Sequence, residues 1–169
     1  MSQVSSMVVS DTSPLTNLAV IGRLELVRFQ FGQITVPAEV WAEIEFLPHA
    51  AGRAALVIAR ESGWLSVTPL AESRVLSLLM AGGLDAGESA AIALALERDA
   101  SRLIIDERKG RAAAGRLRLP VVGALGIFAA ARKLGQIPSV KPEIARLRTD
   151  AGFFITPEIE QTALEMAGE

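Results

Sequence analysis

Short apolar runs alternate with longer stretches of helical periodicity along the whole chain. Met7-Val-Val-Ser10 reads as a β-strand ending at Asp11. Ser13-Pro14 reads as a helix cap with proline at the first helical position, leading into Leu15–Ile21. A short helix is predicted over Leu24–Phe29 after Gly22, then a strand over Gln33–Val36, and Pro37 opens the helix AEVWAEIEF. Residues 50–61 have helical spacing, and Trp64–Thr68 suits a strand or an extended connection. A helix over 72–80 stops at Gly82-Gly83, and Ala86–Arg98 is predicted as a strongly amphipathic helix. Leu103–Ile105 is an apolar strand ending at Asp106, followed by an arginine-rich helix to about Leu117. Pro120–Val122 is the last predicted strand, Ala124–Leu134 a helix, and two more helices fall near 141–150 and 157–167.

Apolar strands this short, each followed by a helix, predict an α/β fold whose parallel sheet is covered on both faces. The 169 residues contain no repeat, low-complexity segment or long linker, which predicts one domain over 1–169. Gly135-Gln-Ile-Pro138 is the best seam, setting off residues from about 136 to 169 as a C-terminal helical appendage.

Composition narrows the chemistry. There is no cysteine, which removes disulfides, thiolate nucleophiles and thiolate metal sites. With His49 the only histidine, His-pair metal motifs are excluded, and His49 after Pro48 reads as an exposed loop residue rather than a general base. Any bound metal would need mainly oxygen ligands, which points to Mg²⁺ or Mn²⁺. No Gly-x-x-x-x-Gly-Lys-Ser/Thr loop is present. The start, MSQVSSMVVSD, has neither the basic nor the apolar region of a signal peptide, and Leu119–Ala131 is too short to cross a membrane. The expectation is a cytoplasmic protein with no membrane association.

The net charge of −2 conceals a pattern. Residues 1–101 carry a net −5, residues 102–148 a net +8 and residues 149–169 a net −5. A basic block of that density attracts polyanions, although each cluster within it also suits a solvated helix face.

Four carboxylates are candidates for a common site. Asp11 and Asp106 each end a strand, and ligands of open parallel sheets gather outside those ends; either residue also suits a turn or a helix cap. Glu43 lies mid-helix, one turn from Glu39, whose place in the first turn is explained by the helix dipole; a solvated surface position is the alternative for Glu43. Glu88 stands three residues after Asp85, a spacing that fits a capping box as well as a catalytic acid. Gathered together, the four would form an oxygen-rich pocket that repels itself unless protons or divalent cations compensate it. A divalent cation in such a pocket supports hydrolytic nuclease chemistry.

The strings VVSDTSPLTNLAVIGRLEL, ITVPAEVWAEI, LDAGESAAIALALE, LIIDERKGRAAA and VVGALGIFAAARKLG, in that order, resemble PIN-domain proteins, the metal-dependent ribonuclease fold of VapC-type toxins. The likeness is to a poorly characterised prokaryotic branch and continues through GFFITPEIEQTALEMAGE. It implies a PIN-like three-layer α/β/α fold with C-terminal helices, and a divalent-metal-dependent ribonuclease that is the toxin of a toxin–antitoxin pair. By position, Asp11, Glu43, Glu88 and Asp106 match the family's four metal-binding, catalytic acids, with Glu88 18 residues before Asp106. The third acid is usually Asp in such chains, and the common Thr-x-Asp is here Ile104-Ile105-Asp106. Glu107 either compensates for the lost threonine or caps the next helix. The resemblance also implies an RNA substrate, a cognate antitoxin whose tail enters the acidic groove, and a homodimer.

Arg108, Lys109, Arg111, Arg116 and Arg118 follow the fourth acid directly and are candidates for phosphate binding. With no tyrosine and few other aromatics, extensive base stacking is not expected. Two other readings stand beside the ribonuclease. One is a catalytically weak PIN-like module that binds RNA or a protein. The other is a phosphotransfer domain of receiver or dehalogenase type, ranked last because Asp11-Thr12-Ser13 lacks the second aspartate of the dehalogenase motif.

Overall fold

The computed structural model describes residues 6–169; the part of the signal-peptide reading that concerns residues 1–5 lies outside the described residues. Five parallel strands form one sheet: β1 (Val8–Ser10), β2 (Ile34–Val36), β3 (Leu65–Val67), β4 (Arg102–Ile104) and β5 (Val121–Val122). Each is two or three residues long, and β1, β2 and β3 stop directly before Asp11, Pro37 and Thr68. Their order is β3-β2-β1-β4-β5, with Val9 opposite both Thr35 and Leu103. The ambiguous segment at Trp64–Thr68 is therefore a strand, at the edge of the sheet. Parallel neighbours require crossovers, and helices supply them.

The helices are α1 (Thr12–Val20), α2 (Glu25–Phe31), α3 (Ala38–Glu45), α4 (Ala50–Glu61), α5 (Arg74–Ala81), α6 (Ala86–Glu97), α7 (Arg108–Arg116), α8 (Ala124–Lys133), α9 (Lys141–Thr149) and α10 (Pro157–Ala167). One packed group joins α1, α3, α4, α5, α6 and α7, and a second joins α2, α8 and α10. The sheet and its helices make the expected three-layer α/β/α architecture. Val9, Leu103, Ile104 and Ile105 are buried with Leu15, Ile44, Ile92 and Phe128 in a common core. Ile144, Leu147, Ile155 and Ala163 of the C-terminal segment enter that core as well. Among the described residues, no helix is long and apolar enough to cross a membrane.

Three local expectations need correction. Helix α1 begins at Thr12 with Asp11 in the cap position, so Pro14 lies inside the first turn and Ser13 is not the cap. Helix α6 is not amphipathic: Gly87 through Ala95 are buried without interruption, because it lies against α3, α5, α7, β1 and β4. Its alanines permit that burial on all sides. His49 is exposed, but it is the cap of α4, accepting a hydrogen bond from Gly52 N at 2.9 Å through Nδ1.

An ion pair ties α9 back to the turn after α1. Glu143 is buried and accepts from Arg23 Nε at 3.0 Å and Nη2 at 2.7 Å, with Arg146 Nη1 at 3.5 Å. Arg23→Met keeps the aliphatic stem but leaves Glu143 with Arg146 alone. The expected cost is about 1–2 kcal/mol, read as a fall of several degrees in Tm, while Lys141→Met at the exposed end of the same helix leaves Tm unchanged.

Candidate metal centre

The strand order places the reversal of the sheet between β1 and β4: the chain lays β2 and β3 on one side of β1, then returns to add β4 and β5 on the other. Ligands of open α/β sheets bind at such a switch point, beyond the carboxyl ends of the strands. Asp11 directly follows β1, and its backbone N–H donates to Ile104 O of β4 at 2.9 Å. Asp106 follows β4 by two residues.

Asp11 is 2% exposed. Burial pushes its carboxyl up to about 7; a hydrogen bond from the Thr12 backbone opposes the shift, and the charges of Asp85, Glu88 and Glu43 reinforce it. Glu43 reaches the same region from α3. Its Oε2 accepts from the Thr12 hydroxyl, and its carboxylate lies on the first turn of α6. A methyl group on Gly87 would stand 2.6 Å from both Glu43 oxygens, so the close approach depends on the missing side chain.

Glu88 is 6% exposed and takes part in the capping box that its spacing suggested. Asp85 Oδ1 accepts from Glu88 N at 2.8 Å, while Glu88 Oε2 accepts from Asp85 N at 3.3 Å. The structural and chemical alternatives for Glu88 are thus not exclusive: the cap fixes the carboxylate within the acidic cluster. Burial raises its pKa first, then the Asp85 charge, with Glu107 and Glu43 adding to the shift.

Asp106 has a different setting. Its Oδ1 accepts from Ala124 N at 2.8 Å, at the positive end of α8. Arg111 sits alongside, donating from Nη1 to Ile105 O at 3.0 Å. A methyl on Gly123 would lie 2.5 Å from Asp106 Oδ1 and 2.9 Å from Arg111 Nη1. Burial still pushes Asp106 up to about 6, although the Ala124 hydrogen bond and Arg111 pull it down. Its Oδ2 is buried and has no hydrogen-bond partner among the described residues.

The structure thus brings Asp11, Glu43, Glu88 and Asp85 into mutual electrostatic range, and sets Asp106, just beyond the neighbouring strand, against Arg111. Among the described residues, no three acidic or imidazole side chains are already gathered around a single cation position. Each carboxylate rests on its own partner: Thr12 for Asp11 and Glu43, Asp85 for Glu88, and Ala124 for Asp106. The donor set nevertheless fits a hard divalent cation. It offers only oxygen, it holds carboxyls whose charge is unfavourable where they stand, and it includes the unpartnered Asp106 Oδ2.

Of the basic residues, Arg108 and Arg111 border Asp106, where they line a groove of about 990 Å³ running from α1 and α7 past β5 and α8 to α10. Lys109, Arg116 and Arg118 are exposed on and beyond α7 and do not line it. Glu107 occupies the cap position of α7 but makes no side-chain capping bond. Sequence reasoning missed Thr12 as a partner of Glu43, although it adjoins Asp11. It also confined Asp85 to a capping role, read Ser13 only as a helix cap, and gave no place to Asn17, Phe153 and Phe154; all four of Ser13, Asn17, Phe153 and Phe154 line the groove.

A family model described as a PIN domain matches residues 7–169. No curated protein matches the chain.

Proposed function

The chain belongs to the PIN-domain family, generally metal-dependent nucleases, and from that premise we propose that it is an endoribonuclease using Mg²⁺ or Mn²⁺. The observation that carries the reading is that Asp11, buried at the sheet's switch point, lies within electrostatic range of Glu43 and Glu88, with Asp106 beyond the end of the neighbouring strand. In this reading the four carboxylates hold the cation, which when bound supplies a Lewis acid to the phosphodiester oxygens. Arg108 and Arg111 would hold phosphates of the strand beside Asp106, and Arg111 also steadies the Asp106 carboxylate. Asp85 and Thr12 orient Glu88 and Glu43. The biological role proposed is that of a toxin, a homodimer in the cytoplasm, neutralised by a cognate antitoxin.

Purified protein incubated with RNA should cut it in Mg²⁺ or Mn²⁺ and leave it intact in EDTA. Glu88→Gln should reduce the rate by about a hundredfold or more, since it removes a cation-binding charge. Cleavage that persists in both EDTA and the variant would overturn the assignment. A catalytically weak RNA- or protein-binding module is the second reading, favoured by the engagement of Glu88 with the Asp85 backbone. It would be supported by RNA binding without cation-dependent cleavage.

A further inference from the structure

We propose that the groove leading from Asp106 to α10 binds a single-stranded stretch of RNA, with Arg108 and Arg111 on its phosphates and Phe154 as a platform for a base. The inference rests on the ribonuclease reading and adds to it a second point of contact with the substrate, beyond Asp106 and away from Asp11, Glu43 and Glu88. The groove meets the candidate donor set at Asp106, which lines it, while Asp11, Glu43 and Glu88 do not. Its volume of about 990 Å³ is at the upper end for a small-ligand site and leaves room for more than one nucleotide.

The lining divides by element. Ser13 and Asn17 of α1 and Arg108 and Arg111 of α7 give a polar stretch next to Asp106. Arg108 has no ion pair or hydrogen bond among the described side chains, so its guanidinium is available to a phosphate. The opposite stretch, from α8 and residues 151–166, is largely apolar and includes Phe153 and Phe154. Phe153 packs against the core, whereas Phe154 is 85% exposed. An aromatic ring held beside a packed neighbour but left open to solvent suits stacking on a base, which tolerates any base identity. The scarcity of aromatics in the chain argues against extensive stacking, and here one ring is placed where a single stack would count.

Glu107 and Glu158 also line the groove. They confine favourable phosphate contact to the two arginines, so the apolar wall must contribute a large share of the affinity. A second copy of the chain or an apolar peptide would use the same wall without needing Arg108.

The test uses the full chain and a short fluorescein-labelled single-stranded RNA, with binding read by anisotropy in Ca²⁺ at several salt concentrations. Phe154→Ala should weaken binding roughly tenfold and Phe154→Trp should restore it, with Tm unchanged in both. Arg108→Ala should lower affinity and reduce the steepness of the salt dependence by about one phosphate contact. If wild-type protein binds no RNA, the ribonuclease reading fails and takes this inference with it. If it binds and Phe154→Ala binds equally well, only the groove assignment is overturned. Light scattering supplies a further arm: a dimer that Phe154→Ala dissociates would make the groove an interface between copies and would also overturn the proposal.

Discussion

Asp11→Asn is expected to melt at a higher temperature than the wild type at pH 8 while losing cation-dependent cleavage. In the folded protein the Asp11 carboxyl holds its proton up to about pH 7, against an ordinary value of 3.8. Between those limits the folded state binds more protons than the unfolded chain, so stability is withdrawn as pH rises through the window. Above pH 7 the cost reaches about 4 kcal/mol at most, and below about pH 3.8 it vanishes. Asparagine removes the charge but keeps the shape and an acceptor for the Thr12 N–H. It should recover about 2–4 kcal/mol at pH 8 and nothing near pH 4. A divalent cation should raise the Tm of the wild type at pH 8, because it binds the folded charge cluster, and raise that of Asp11→Asn much less. Thermal melts at the two pH values, with and without Mg²⁺, check each part. A variant less stable than wild type at pH 8 would show that Asp11 has a favourable partner, contrary to its setting among Asp85, Glu88 and Glu43.

The elements that build the centre were legible because the strongest local signals lie there. Short runs rich in Val, Ile and Leu mark β1, β2 and β4, and the aspartates that follow β1 and β4 mark where the sheet meets solvent. The Asp85–Glu88 capping box was readable from spacing alone, since it is formed by residues within one turn. What the sequence did not disclose is non-local. The unbroken burial of α6 depends on neighbours far away in the chain, and its alanines look the same on an exposed helix face. The separation of Asp106 from the other acids follows from Arg111 and the start of α8, which only the fold brings together. The groove escaped notice for the same reason: its arginines and phenylalanines are more than 40 positions apart.

Gly87, which admits the Glu43 carboxylate, supplies a way to damage the candidate centre without damaging the fold. Gly87→Ala is expected to lower divalent-cation affinity by about tenfold or more, with Tm unchanged or slightly raised. Gly87 is inside α6, where alanine is favoured over glycine by about 0.5–1 kcal/mol. The nearest atoms to the new methyl are those of the Glu43 carboxylate, 2.6 Å away, and that group sits at the end of a flexible, exposed side chain that can swing aside. Relief of the clash therefore costs the fold little but removes Glu43 from the cluster. Gly110→Ala provides the contrast. Its methyl would lie 2.6 Å from Ile105 Cδ1, a fully buried atom group, so overpacking should cost about 1–3 kcal/mol. Calorimetric titration with Mn²⁺ and thermal melts on both variants separate the effects. Weak binding with a normal Tm in Gly87→Ala shows that Glu43 must rest on α6 to serve the cation. Unchanged binding would mean that Glu43 contributes nothing there, and the donor set would reduce to Asp11, Glu88 and Asp106.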